Sequence, residues 1–191
     1  MLSRADGLLQ LAGHLASLPA DKYGQTHLSR AISTAYYALF HLLIDDATSN
    51  WRQEALRAAL GRVFEHGRMR SACEASVNEL KTYFAGNPPT SREQAIAIHL
   101  HVVADTFVQI QHQRNEADYN VSKDWKPTEV VSLVSSVAVA FRSWKIVRGE
   151  PAAQALLVAM LGGRDRREGP RTGTRTKPIP PIPSEDSLPV E

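Results

Sequence analysis

Apolar residues recur along this chain with the period of a helix far more often than with the alternation of a strand. Leu8, Leu9, Leu11, Ala12, Leu15 and Leu18 follow a Ser3 cap and stop at Pro19, which predicts a first helix over residues 4–18. After the turn-like "PADKYGQ", residues 26–47 place Leu28, Ile32, Ala35, Leu39 and Leu42 on one face and Tyr36, Phe40 and Leu43 on the next. So wide an apolar arc predicts a central, largely buried helix. "NWRQEALRAALGRVFEHG" predicts a third helix over 51–66 and "MRSACEASVNELKTYF" a fourth over 69–84, ended by "AGNPP". Thr90 and Glu93 have the spacing of a capping box, in which hydroxyl and carboxylate each satisfy a free backbone N–H, and open a fifth helix that ends near Arg114. Pro127 starts a sixth, carried by Val130, Val131, Val134, Ala138, Phe141 and Lys145, and Glu150 with Pro151 begins a short seventh that closes at "GG" near Leu161. No second segment offers the valine-rich start of the sixth helix a strand partner, so the class is all-α.

The fifth helix raises the question of function. At about 100° per residue, Ile96, Leu100, Val103, Phe107 and Ile110 all fall within about 40° of Arg114. An arginine continuing an apolar stripe needs acceptors on the core side. The alternative is a cation in the last turn of a helix, suited to free carbonyls and paired with Asp118 one turn on. Spacing alone leaves both readings open. On the central helix, Arg30, Thr34, Tyr37 and His41 form one polar stripe. It is either a solvated face or half of a groove in which Arg30 and Arg114 clamp phosphates and Tyr37 stacks on a base.

Composition narrows the classes. With 191 residues and 43% hydrophobic content the chain can bury one core. Cys73 is its single cysteine, so no intrachain disulfide forms and nothing in the cysteine count points to an oxidising compartment; a cytoplasmic protein is expected. The longest apolar run, "VVSLVSSVAVAF", is short and broken by serines, so no membrane segment is expected. Asp6, Gln10 and His14 interrupt the start too early for a secretory signal. The net charge of +2 is uneven: residues 164–177 hold six basic side chains against two acids, a local +4 that leaves −2 elsewhere. The folded part is therefore no strongly basic nucleic-acid binder by bulk charge. From residue 163 on, glycine, proline and charge replace periodicity, and a disordered basic and proline-rich tail is expected over 163–191.

Seven histidines invite a metal reading, but His99 and His101 point about 200° apart on a helix, and no HExxH or paired-cysteine spacing occurs. No metal and no cofactor is expected. Phosphate-binding glycine loops and nucleophile elbows are also missing.

Two segments in order, "SRAISTAYYALFHLL" at 29–43 and "RNEADYN" at 114–120, resemble the "SRAYYAAFH" and "RxxADY" segments of the HEPN family, small helical domains of prokaryotic toxin–antitoxin, abortive-infection and CRISPR-associated systems. "RVFEHGRMRSAC" at 62–73 and "FVQIQHQRNEADY" at 107–119 are similar to one subgroup. The likeness covers residues 4–148. It implies an up-and-down bundle of four to five helices over residues 1–149, with the short helix at 150–162 added and the tail outside, and a homodimer whose groove lies near the "RxxADY" end. It also implies metal-independent RNA chemistry, in which a base takes the ribose 2'-OH proton and an arginine stabilises the charge on the attacked phosphate.

Arg114 and Asn115 match the start of the family's catalytic motif, but the histidine due four to six residues later is missing, since Tyr119, Asn120 and Val121 stand there. A phenol titrates near 10, roughly three units above a useful neutral-pH base. His112 points to the opposite side of the helix, and His99 lies some 22 Å from Arg114 along the axis. His41 alone survives helical arithmetic. The expected function is RNA or nucleotide binding with a degraded nuclease motif, Arg114 gripping a phosphate or an interface carboxylate, Asn115 donating hydrogen bonds and Tyr119 stacking or donating. The alternatives are an active ribonuclease using Arg114 with His41 or Tyr119, and an interaction module for a nucleotidyltransferase-like protein partner.

Overall fold

A computed structural model describes residues 2–86, 92–120 and 122–162 of the chain. Thr90 of the expected capping box, Val121 and the tail at 163–191 lie outside these residues. Among the described residues the secondary structure is entirely helical: α1 (Arg4–Ser17), α2 (Ala20–Ser49), α3 (Glu54–Gly61), α4 (His66–Gly86), α5 (Arg92–Tyr119), α6 (Pro127–Val147) and α7 (Pro151–Gly162). Each helix expected from hydrophobic spacing is present, and the total exceeds four to five because the short α3 and α7 are included.

α2 is the axis of the fold and contacts α1, α3, α5, α6 and α7. Leu28, Ile32, Tyr36, Leu39 and Leu43 are fully buried along it, and Ala31, Ala35 and Ala38, equally buried, let neighbouring helices approach closely. Its start differs from expectation. Helical residues begin at Ala20, behind Pro19, and the turn expected before Thr26 is compressed into a break at Gly24, where φ is 64° and ψ is −153°. That region is open essentially to glycine alone. Gln25 then uses its side-chain amide to clasp the backbone of Trp125, donating to its carbonyl at 3.2 Å and accepting from its N–H at 2.7 Å, which ties the α5–α6 connection to α2.

The third expected helix is the one most changed. It spans Glu54–Gly61 rather than 51–66, because the chain leaves helical geometry after Gly61 and turns Phe64 into the core while Val63 and Glu65 stay exposed. His66, expected at the end of the third helix, is instead the first residue of α4. α5 is also longer than expected, running one turn past Arg114 to Tyr119. Asn120 finishes it with an N–H bond to the Glu116 carbonyl and a side-chain oxygen that accepts from Ser122 N–H.

α6 is more apolar than the serine-broken run suggested. It has 21 residues, and an 18-residue window within it reaches a mean hydropathy of 1.5, long and apolar enough to cross a membrane by length and composition alone. Val130, Val134, Val137, Ala140, Phe141, Trp144 and Val147 are buried in the core it shares with α1, α2 and α5, and core helices commonly meet the same criterion. Trp144 is fully buried, and its indole N–H donates to Asp46 of α2 at 2.5 Å; the other carboxylate oxygen faces Arg148 at 3.5 Å. α7 adds Ala153, Leu156, Leu157 and Met160 to the same core, mainly against α4.

Two stability predictions follow from buried polar groups. Asp46→Ala leaves the Trp144 N–H without its acceptor and is expected to cost about 1–3 kcal/mol, read as a lower midpoint in urea unfolding. His27 is 5% exposed and neither ring nitrogen has a hydrogen-bond partner among the described residues. His27→Leu removes two desolvated polar atoms without removing a bond, so it is expected to raise the same midpoint. An unchanged or lower midpoint would contradict this account of His27.

Candidate functional site

The apolar stripe of α5 turns inward as its spacing requires: Leu100, Val103, Phe107 and Ile110 are buried, Ile96 is partly so, and Arg114 ends the row with 19% of its side chain exposed. The two sequence readings of Arg114 therefore coexist, because it faces inward and is also paired with Asp118. Its Nε lies 2.7 Å from Asp118 Oδ2, close enough for a strong ionic contact but without an aligned N–H···O bond. Asp118 is itself anchored, since Oδ1 accepts from the Ser33 hydroxyl of α2 at 2.7 Å. One carboxylate thus fixes the guanidinium to its own helix and to the neighbouring one.

The other edges of the guanidinium meet α2 and the end of α5. Nη2 donates to the Tyr37 hydroxyl at 3.1 Å and Nη1 to Asn115 Oδ1 at 3.2 Å. The guanidinium carbon lies 5.6 to 5.9 Å from the ring centroids of Tyr37, Tyr36 and Tyr119, within cation–π range. Partial burial opposes the charge, but Tyr37, Asp118 and Tyr119 outweigh it and hold the pKa above the usual arginine value. Each terminal nitrogen carries two N–H groups, so one on each remains beyond the bonds to Tyr37 and Asn115. Tyr119 is 75% exposed and Asn115 is exposed, which leaves this side of the cluster open to solvent.

His41 is half-buried and stacks on Tyr37, with ring centroids 6.5 Å apart and planes at 30°. Burial, the Arg4 cation and His66 push its pKa down against the opposing pull of Asp45, so the ring is neutral at neutral pH. Arg114, Asn115, Tyr119, Tyr37 and His41 therefore form one cluster. Arg30 is not part of it. Exposed, and two helical turns before Tyr37, it borders a separate depression of about 430 Å³ with Gln25, Ser29, Lys123 and Asp124, which touches the cluster only through Asp118. A larger groove of about 1330 Å³ between α4, α5 and α7 takes in none of the candidate side chains.

His66 joins the cluster without any warning from spacing. Its ring lies 4.3 Å from Phe40, 5.6 Å from Tyr36 and 6.2 Å from Tyr37, centroid to centroid. Its backbone carbonyl accepts from Gln111 Nε2 at 3.0 Å, which ties the start of α4 to the helix that carries Arg114. Desolvation of the ring against its neighbours, and then the Arg114 charge, push its pKa down. Its only sequence signal was its position inside "RVFEHGRMRSAC", and a helix drawn through residue 66 concealed its orientation.

Among the described residues, no group of three or more His, Cys, Asp or Glu side chains could hold a metal ion. Cys73 is fully buried, and its thiol is pushed up by desolvation and by Glu74, which fits a packing residue rather than a nucleophile. Compared with family models, curated proteins and solved structures, the chain matches none of them.

Proposed function

We propose that the Arg114 cluster binds the phosphate backbone of RNA or a nucleotide, in a HEPN-like helical bundle whose nuclease motif has lost its histidine. One observation carries this reading: a guanidinium clamped by Asp118 and Tyr37 keeps an N–H on each terminal nitrogen for an acceptor, at the edge of an aromatic surface. An arginine held on one edge loses little conformational freedom when its other edge meets an anion, and a phosphate offers the paired oxygens that match its planar fork. The exposed Tyr119 ring supplies a stacking face for an unpaired base beside that phosphate. The role in defence or toxin–antitoxin biology rests on the resemblance of "SRAISTAYYALFHLL" and "RNEADYN" to the family.

The position of His41 favours a second reading, metal-independent cleavage of RNA. A neutral imidazole stacked on Tyr37 is in the protonation state that a general base requires. Binding remains the better-supported function, because the resemblance puts Tyr119 where the family has its catalytic histidine, and no imidazole stands at that position.

Purified protein with labelled single-stranded RNA, assayed for retention and cleavage with and without EDTA, separates the two. Arg114→Ala is expected to weaken retention about 10- to 100-fold, the loss typical of a charged hydrogen-bonding group. Arg114→Lys should recover little of it, since an ammonium lacks the fork. Retention unchanged in Arg114→Ala would overturn the proposal. EDTA-insensitive cleavage that disappears in both Arg114→Ala and His41→Ala would select the nuclease reading.

A further inference from the structure

Tyr36 is fully buried, and its hydroxyl makes one hydrogen bond among the described residues, to Nδ1 of His66. The two hydrogens that could lie in this bond are not equivalent. Were His66 to donate from Nδ1, the phenol O–H would be left without an acceptor in the protein interior. If the phenol donates, every group is satisfied. Burial raises the Tyr36 pKa and keeps that proton in place, while desolvation of the His66 ring, and then the Arg114 charge, disfavour a second proton on it. His66 is then a neutral imidazole with Nδ1 as acceptor and its hydrogen on Nε2.

The direction of that hydrogen matters. Nε2 lies on the far side of the ring from Nδ1, His66 as a residue is exposed, and Nε2 has no partner among the described residues. The imidazole and the Arg114 guanidinium flank the same two rings, at 5.6 and 5.8 Å from Tyr36 and at 6.2 and 5.6 Å from Tyr37. The bond from Gln111 to the His66 carbonyl holds α4 and α5 in this register. We propose that His66 is a second donor to the phosphate received by Arg114, a positioning and binding residue fixed in its Nε2–H form by the buried Tyr36 hydroxyl. This rests on the phosphate-binding reading of the Arg114 cluster. It makes the ligand a phosphate ester approached from two helices, by a cation from α5 and a neutral N–H from α4.

The test uses the full chain and a fluorescein-labelled oligouridine, with thermal unfolding to check that each variant folds. His66→Ala is expected to weaken binding about tenfold, in keeping with a hydrogen bond to a charged acceptor. His66→Gln, which can present an amide N–H near the Nε2 position, should restore most of that loss. Nitrogen-15 spectra of the histidine side chains should show His66 as the Nε2–H form in the wild type and as a mixture of both neutral forms in Tyr36→Phe, with weaker RNA binding in that variant. A wild-type Nδ1–H form, or undiminished binding by His66→Ala while Arg114→Ala binds poorly, would overturn the role of His66 and leave the Arg114 site standing. Full binding by Arg114→Ala would overturn both.

Discussion

The candidate site depends on an arginine at the inner end of an apolar stripe having its charge answered where it sits. A guanidinium with four-fifths of its side chain removed from solvent needs acceptors within the fold. Asp118 meets that need from one turn further along α5 and is braced in turn by Ser33 of α2. An ion pair internal to α5 is thus joined to α2 through the Ser33 hydroxyl, and the bond from Arg114 to the Tyr37 hydroxyl makes a second link between the two longest helices. Tyr37 and Tyr36 on α2 lie beside the guanidinium.

Much of this was legible in the sequence, and the part that was not has a physical reason. The period of the apolar residues located every helix, and the angle of Arg114 along α5 raised an inward direction that spacing alone left level with a surface cap. Both are properties of one helix, which the chain specifies locally. The likeness in angle between Arg30 and Tyr37 misled for the same reason: residues seven apart share a face but stand about 10 Å apart along the axis, enough to put Arg30 in another depression. Asp118 was visible as a partner, whereas Ser33 was one serine among several on a buried helix until packing set it against the carboxylate.

His66 was hidden by a boundary rather than by distance. A helix drawn from 51 to 66 treats it as a terminal surface residue. The helix instead ends at Gly61, the chain turns Phe64 inward, and His66 is the first residue of a new helix. Helix ends are where periodicity is weakest, because the terminal turns lack half their hydrogen bonds and take their geometry from whatever they pack against. A chemically important imidazole at such an end is therefore hard to find by counting.

The clasp between Gln25 and Trp125 joins two parts of the chain that are a hundred residues apart. A single side-chain amide supplies both bonds, as a neighbouring strand would, and it sits beside the one residue of the long helix with left-handed geometry. Losing that one amide would leave both backbone groups of a core-buried residue without these partners, so the hold of the connector on α2 rests on Gln25 together with the burial of the Trp125 ring.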